Sequence, residues 1–541
     1  MKNFRYHNIA KPQANHKQTA SKPQANHKQT QTANMIDPDT FHDLQEEVIY
    51  WAKEYMQENP LILAKTNYLE EITNAIFNIV QHHWQEFGIF DSWSEEETLS
   101  FIRYHTKENT PKRYYARSSF PHNDYVDDYE SSCTNTNTPS SPNSHTQQSQ
   151  HQSQQQIQKA QQRVKELQEI DKQNPKQGTK EWLNQRHNMI TASSVSKLFN
   201  SQAQYQSIIK EKSAPNLRQE YEQDNTRGPA PLVWGHKYEP ISVQIYEDLT
   251  NETVLSLGCI PHAQYPYLGA SPDGIISPFQ EKEDSGKRAG RLLEIKNPIS
   301  RIIDGIPSET YWIQQQIQME VCDMDGCDFL ETQFKEMDEQ AFYEPSSTNT
   351  VEVAVIDTYE EDPPNISETE THEEYMGVIA HYQSYEWGDK YPKIKYLYLP
   401  PLTQFTSQPF LKLSHTNSDT ISDTISHTDS DSHIDFEPTD QEPQTQDNVK
   451  AWMDTKTKHI ITDLKSHINQ QIPQTHPEYP NYTIMKKEYW KLTTLSLVYV
   501  PRNKEWFQAA QPIIQKAWET ILENRENPTQ TPYFIIEKQP N

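Results

Sequence analysis

Apolar residues first recur at helical spacing about forty residues into the chain, between long polar tracts on either side. Phe41, Leu44, Val48, Trp51, Ala52 and Tyr55 share one helical face, and Leu69, Ile72, Ile76, Ile79 and Val80 share another after Pro60. Ser94 followed by Glu97 forms a capping box, which opens a third helix with Leu99 and Ile102. Residues 38–105 are thus expected to be a small helical module, in which we find no chemistry. Ahead of it, residues 1–37 carry KPQANHKQT twice, at Lys11–Thr19 and Lys22–Thr30; this polar repeat can bury no core and is expected to be a disordered tail. Behind it, residues 106–156 follow neither a period of 2 nor one of 3.6, so they are read as a disordered linker.

Ile157, Ala160, Val164 and Leu167 then mark a lead-in helix to the main domain, residues 157–541. Helix and strand signals alternate from Gln177 to Phe334, Val378–Tyr385, Ile394–Leu399 and Leu492–Val500 read as strands, and Lys504–Leu522 reads as a helix. The expectation is an α/β fold, a mixed sheet flanked by helices.

Composition sharpens this division. Only 33% of the 541 residues are hydrophobic, against roughly 45 to 50% in ordinary globular proteins, so part of the chain is not packed core. The 11 Trp, 29 Tyr and 17 Phe nevertheless require folded blocks. The net charge of −27 is uneven: Glu336–Glu374 holds 13 acids and Ser414–Asn448 holds 9, with no Lys or Arg in either. These belong to expected disordered inserts at residues 336–378 and 414–448, so the acidity of the whole chain does not exclude a nucleic-acid partner for the rest. Cys133, Cys259, Cys322 and Cys327 form no CxxC pair, which argues against a zinc ribbon or disulfide scaffold and fits a reducing compartment. No window holds the apolar run of a membrane span or signal peptide, so the expected setting is intracellular with no membrane partner.

The chemistry lies between Gln177 and Phe334. In RLLEIKNP, period-two alternation puts Leu293 and Ile295 on one face of a strand and Glu294 and Lys296 on the other. Upstream, LGASPDGII presents Asp273 on a turn forced by Pro272 and Gly274. An acid on a turn followed by Glu-x-Lys on a strand suits a metal-dependent phosphodiesterase, although a lone Glu-x-Lys strand is more often a solvated face. Glu239, in a helix starting near Pro231, would bring a third carboxylate toward the sheet. In YWIQQQIQMEV, Tyr311, Gln314 and Gln318 share a face, which can point at a water or phosphate or form an exposed polar stripe. Thr179 is a helix cap that places Trp182 and Arg186 one turn apart, and a second helix begins at Thr191–Ser194. Guanidinium, hydroxyl and helix start together make an anion pocket; the competing reading has Trp182 in the core and Arg186 paired with an acid.

GTKEWLNQRHNMITASSVSKLF, WGHKYEP, LGASPDGII, LLEIKNP and YWIQQQIQMEV, in that order, resemble the YqaJ-like viral recombinase family. That group includes the phage lambda exonuclease and falls within the PD-(D/E)XK nuclease superfamily. The resemblance covers about Gln177 to Val321, with a weaker echo in VPRNKEWF. It implies a restriction-endonuclease-like fold and an exonuclease using two Mg²⁺ ions, or Mn²⁺, to digest duplex DNA from 5′ ends. The 3′ strand left behind is for annealing recombination, so the partners implied are double-stranded DNA ends and a single-strand annealing protein. By resemblance, Asp273 and Glu294 are metal ligands, Glu239 is an additional acid, Lys296 is the catalytic lysine, and Gln314 is the family glutamine with Gln316 or Gln318 as register alternatives. Arg186 and Ser193 match positions that grip the 5′ phosphate. Three features depart from the pattern: the charged hairpin Gln280–Gly290 separates Asp273 from Glu294, Asn297 stands where cysteine is frequent, and Asn503 replaces a common aspartate. An endonuclease, a nuclease that also cuts RNA, and an inactive scaffold are the alternative readings.

Overall fold

The computed structural model describes residues 36–115, 142–177, 179–216, 230–279, 286, 288–343, 354–355, 374–384, 393–404, 411–413, 462 and 464–527. The sequence repeat, the tract 414–448 and Cys133 lie outside the described residues.

Three helices, α1 (Pro38–Glu58), α2 (Tyr68–Glu86) and α3 (Glu95–Glu108), form the expected module. The Ser94 capping box is present in full, with the Glu97 carboxylate accepting from the Ser94 N–H at 2.7 Å. The module is not set apart on a linker, however. Its core residues Leu44, Val48, Ile72, Ile76 and Trp84 are continuous with Trp312, Ile313 and Trp506 of the main domain. Arg113 and Tyr114 are buried, and Tyr115 pairs with Tyr499 through backbone hydrogen bonds of 2.8 and 3.0 Å. A helix, α4 (Pro142–Gln173), also starts inside the expected linker. Glutamine is a good helix former that leaves no apolar periodicity, so the pattern-based reading missed its first half. The second half docks as expected: Val164 and Leu167 are fully buried. Gly290, at a φ of 76°, approaches so closely that an added Cβ would stand 2.9 Å from Ala160.

The remaining helices are α5 (Lys180–His187), the single turn α6 (Ala192–Val195), α7 (Gln202–Ser213), α8 (Ala230–Thr250), α9 (Glu309–Cys322), α10 (Glu339–Tyr343) and α11 (Lys504–Glu526). Strands β1 (Ile190–Thr191), β3 (Ile260–Pro261) and β4 (Leu268–Ala270) make a small sheet in the order β1-β4-β3. The large sheet contains β2 (Val254–Leu255), β5 (Gly274–Ile276), β6 (Leu292–Lys296), β7 (Gly326–Met337), β8 (Ala354–Val355), β9 (Glu374–Ser384), β10 (Lys393–Tyr398), β11 (Leu402–Gln404), β12 (Leu411–Leu413) and β13 (Thr483–Pro501). Its order is β12-β11-β9-β13-β7-β6-β5-β2, with β10 added on β9 and β8 on β13. β6 runs parallel to β7 and antiparallel to β5, so the sheet is mixed as expected. The expected insert 336–378 is narrower than its charge suggested, because Glu336–Met337 complete β7 and 374–378 begin β9.

Leu292, Cys327, Phe329 and Val498 line the sheet face covered by α9, α11 and the module. Leu293, Ile295, Leu330 and Leu497 line the opposite face, under Tyr238, Ile241, Ile245 and Tyr246 of α8. The alternation along β6 therefore sends Glu294 and Lys296 to the α9 side, where apolar cover is interrupted by polar side chains.

Candidate active site

The turn before β5 and the strand β6 are fastened together by one side chain: the Asp273 carboxylate accepts the Ile295 N–H at 2.7 Å. Glu294, fully buried, accepts from Gln314 Nε2 and Gln318 Nε2 at 2.6 Å each and is paired with the Lys296 ammonium. Lys296 Nζ also lies 5.1 Å from the centre of the Tyr311 ring. Gln314 and Gln318 stand one turn apart on α9, and both face Glu294. Gln316 turns away, donating to the Pro501 carbonyl at 2.9 Å and accepting the Asn503 N–H at 2.7 Å.

Asp273, Glu294, Lys296, Tyr311 and Gln314 line one cleft of about 530 Å³, together with Glu239 from α8 and Arg186 and Ser193 from the α5–α6 region. Glu239 is partly exposed, with His236 Nδ1 3.7 Å from its Oε2. Burial pushes the Asp273 carboxyl well above the usual carboxylate range, and the charges of Glu294 and Glu239 push it further, against the Lys296 ammonium and the Ile295 N–H. Burial alone would lower the Lys296 pKa; the Glu294 and Asp273 carboxylates outweigh it and raise it. Around Lys296 two carboxyls thus crowd one ammonium, while Arg186 and Arg301 line the same cleft.

Its hard oxygen donors fit Mg²⁺ or Mn²⁺ rather than a softer metal, and the buried Gln318 Oε1 has no hydrogen-bond partner. Among the described residues, no three acids, histidines or cysteines converge as a ready metal cage. Glu294 is instead held by two amides and an ammonium, which must yield to admit an ion.

The anion corner is built less simply than expected. Thr179 caps α5, accepting the Trp182 N–H at 3.3 Å, and the Arg186 guanidinium lies 4.9 Å from the Trp182 ring. The Arg186 carbonyl accepts from Lys212 Nζ at 2.7 Å. The helix at Ser193 lasts one turn before tightening, and the Thr191 side chain does not cap it. Trp182 does not line the cleft that holds Asp273 and Glu294. It belongs to an adjoining cavity of about 450 Å³, which shares Arg186, His236 and Ser271 with that cleft.

Sequence reasoning missed Arg301. It lines the cleft, lies 5.8 Å from the Tyr311 ring and pairs with the buried Glu331 of β7. Only the parallel register, which sets Lys296 beside Glu331, brings that acid close. Asn297 ties α8 to the sheet: its side-chain oxygen accepts from Thr332 at 2.6 Å and Ser242 at 2.8 Å, and its amide donates to the Gly235 carbonyl at 3.1 Å.

Residues 181–325 match the YqaJ-like viral recombinase domain, which bears out the resemblance read from the motifs. An uncharacterized protein of Acanthamoeba polyphaga mimivirus is 25% identical over 368 residues, covering 65% of this chain and 53% of its own length. The chain therefore spans about half the length of that relative. Among solved structures, the alkaline exonuclease LHK-Exo of Laribacter hongkongensis is 29% identical, with a TM-score of 0.24, over 29% of this chain and 74% of its own. LHK-Exo in complex with dAMP is 30% identical, with a TM-score of 0.24, over 28% of this chain and 73% of its own.

Proposed function

We propose that the chain is a cation-dependent DNA exonuclease, which takes linear duplex from its 5′ ends and leaves 3′ single strands for recombination or genome processing. The observation that carries this reading is the grouping of Asp273, Glu294, Lys296 and Gln314 in one cleft, inside the segment that matches the YqaJ-like domain. Asp273 and Glu294 would hold Mg²⁺ or Mn²⁺, as one ion or two, with Glu239 beside them; the bound cation would supply charge neutralisation at the phosphate and a more acidic water.

The chain's own residues do the rest. Lys296 offers its ammonium to a phosphate oxygen where negative charge develops. Gln314, released from Glu294, can orient the attacking water. Arg186 and Ser193 bind a terminal phosphate at one end of the cleft, Arg186 by a bidentate pair that lysine cannot reproduce. Tyr311 packs beside the ammonium and fixes its direction. The partners that follow are double-stranded DNA ends and a single-strand annealing protein for the 3′ product. Among the described residues no helix is long and apolar enough to cross a membrane. The buried free thiols Cys259, Cys322 and Cys327 suit the reducing, intracellular setting we assign.

The test compares end-labelled linear duplex with closed circles in Mg²⁺, with 5′-phosphate and 5′-hydroxyl ends in parallel. The expected result is digestion of linear duplex alone, faster from 5′ phosphates. Equal cutting of circles would replace the exonuclease reading with an endonuclease.

A further inference from the structure

The helical module has no counterpart in the motifs that define the cleft, yet one buried side chain joins it to the helix that serves the cleft. Arg113, 2% exposed, directs its guanidinium at backbone carbonyls on both sides of the junction. Nε donates to Leu63 O at 2.9 Å and Nη2 to Ala64 O at 3.2 Å, both in the turn between α1 and α2. Nη2 also donates to Pro307 O at 3.0 Å, 194 positions away in sequence. Pro307 directly precedes Ser308, the cap of α9, whose Oγ accepts the Tyr311 N–H at 3.4 Å. The backbone of Arg113 takes part as well: its carbonyl accepts the Trp312 indole N–H at 3.1 Å. One residue thus grips α9 both just before its cap and in its first turn.

What α9 carries makes this grip consequential. Tyr311 is the next residue to Trp312, and Gln314 and Gln318 follow on the face that holds Glu294. A guanidinium in a fixed fork can hold three carbonyls in one geometry, whereas an alkyl or ammonium side chain at this position cannot. A misplacement of about 1 Å can cost on the order of a hundredfold in rate even when it arises far from the chemistry.

We propose that the module is a brace for the active site and that Arg113 is a positioning residue, setting α9 so that Gln314 and Gln318 meet Glu294. The inference rests on the nuclease reading above for its effect on rate, and on geometry alone for its effect on α9. In the full chain, Arg113→Ala should lower kcat on linear duplex DNA with Mg²⁺ by about 10- to 100-fold with KM for DNA ends unchanged. Trp312→Phe, which keeps a ring and loses the N–H, should shift kcat in the same direction by less.

Because Arg113 acts through the glutamine face, Arg113→Ala combined with Gln314→Ala should be little slower than Gln314→Ala alone. Hydrogen exchange supplies a readout independent of cleavage: the first turn of α9 should lose protection in Arg113→Ala while α11 keeps it. Unchanged kcat in both folded single variants, fully multiplicative losses in the double variant, or unchanged exchange in α9 would each overturn the brace. Should Arg113→Ala not fold, Trp312→Phe decides by the same measurements. A wild-type chain that fails to cut DNA defeats the nuclease reading, and the exchange experiment still tests the brace.

Discussion

Two fully buried carboxylates sit one residue apart across neighbouring strands, Glu294 on β6 and Asp328 on β7, and their surroundings are nearly opposite. Asp328 accepts from Arg288 at 2.7 Å, Arg291 at 3.1 Å and the Tyr246 hydroxyl at 2.7 Å. Burial works against its charged form, but the two guanidinium groups overcome that and hold its pKa below the usual range. Glu294 has one ammonium and two neutral amides, with Asp273 crowded beside it and pushed the other way. The difference separates two uses of a buried acid. Where cations complete the hydrogen bonding, the acid pins a structure, here the segment Arg288–Arg291 against the sheet. Where two carboxyls crowd one ammonium, burial and like charge push one of them toward its neutral form, from which a bound cation would draw it back.

Substitution at the two centres should break this contrast open. The largest effect expected is on cleavage: Asp273→Ala or Glu294→Ala should lower it by about a thousandfold or more, measured on end-labelled duplex, with circular dichroism unchanged. Wild-type digestion by either variant would remove the site from this cleft. Next in size is stability, with opposite signs at the two centres. Asp328→Asn removes the buried charge that balances Arg288 and Arg291 and should cost about 3 to 5 kcal/mol in denaturant unfolding. Asp273→Asn, which can still accept the Ile295 N–H, should raise the midpoint in metal-free buffer because it removes a charge opposed by burial and by two like charges. Equal losses from both changes would mean that the two centres are alike.

A third and smaller effect concerns the anion corner. Arg186→Ala should erase a preference for 5′-phosphate over 5′-hydroxyl ends worth about 10- to 100-fold, and Arg186→Lys should recover part of it. Equal rates on both ends in the wild type would leave that corner without a role in polarity. The smallest effect is on binding of the ion itself. Mg²⁺ at ten times its dissociation constant should stabilise the wild type by about 1.4 kcal/mol, Lys296→Ala equally, and Asp273→Ala not at all. A thermal-shift titration reads all three, and stabilisation of Asp273→Ala would place the ion elsewhere.

Much of the cleft was legible because its signals are local. Period two along RLLEIKNP assigns Glu294 and Lys296 to one face, and Pro272 with Gly274 makes a turn at Asp273, with no knowledge of the rest of the chain. Gln314, Gln316 and Gln318 were ambiguous for a physical reason. Two steps along a helix rotate a side chain by about 200°, so choosing among them requires knowing where β6 lies. Arg301 with Glu331, and Arg113 with Pro307, depend on contacts 30 and 194 positions apart and leave no periodic trace. The module was therefore expected to stand apart from residues 157–541, as though the chain could be cut at that boundary. Its shared core with α9 and α11 shows that such a cut would expose Trp312 and Ile313. The first half of β13 was missed because its outward positions are charged and little buried.

The long strand β13 also sets a timetable for synthesis. It pairs with β7 from Tyr489 opposite Met337 to Pro501 opposite Gly326, and so fills the sheet position beside the strand that supports β6. A ribosome that has finished Gln318 must make more than 150 further residues before that position can be occupied. Until then β7 offers an open edge, and α9 lacks the Asn503 N–H and Pro501 carbonyl that hold Gln316. The nascent domain stays unassembled until β13 emerges, and its slowest folding step is expected to be this late closure between distant strands.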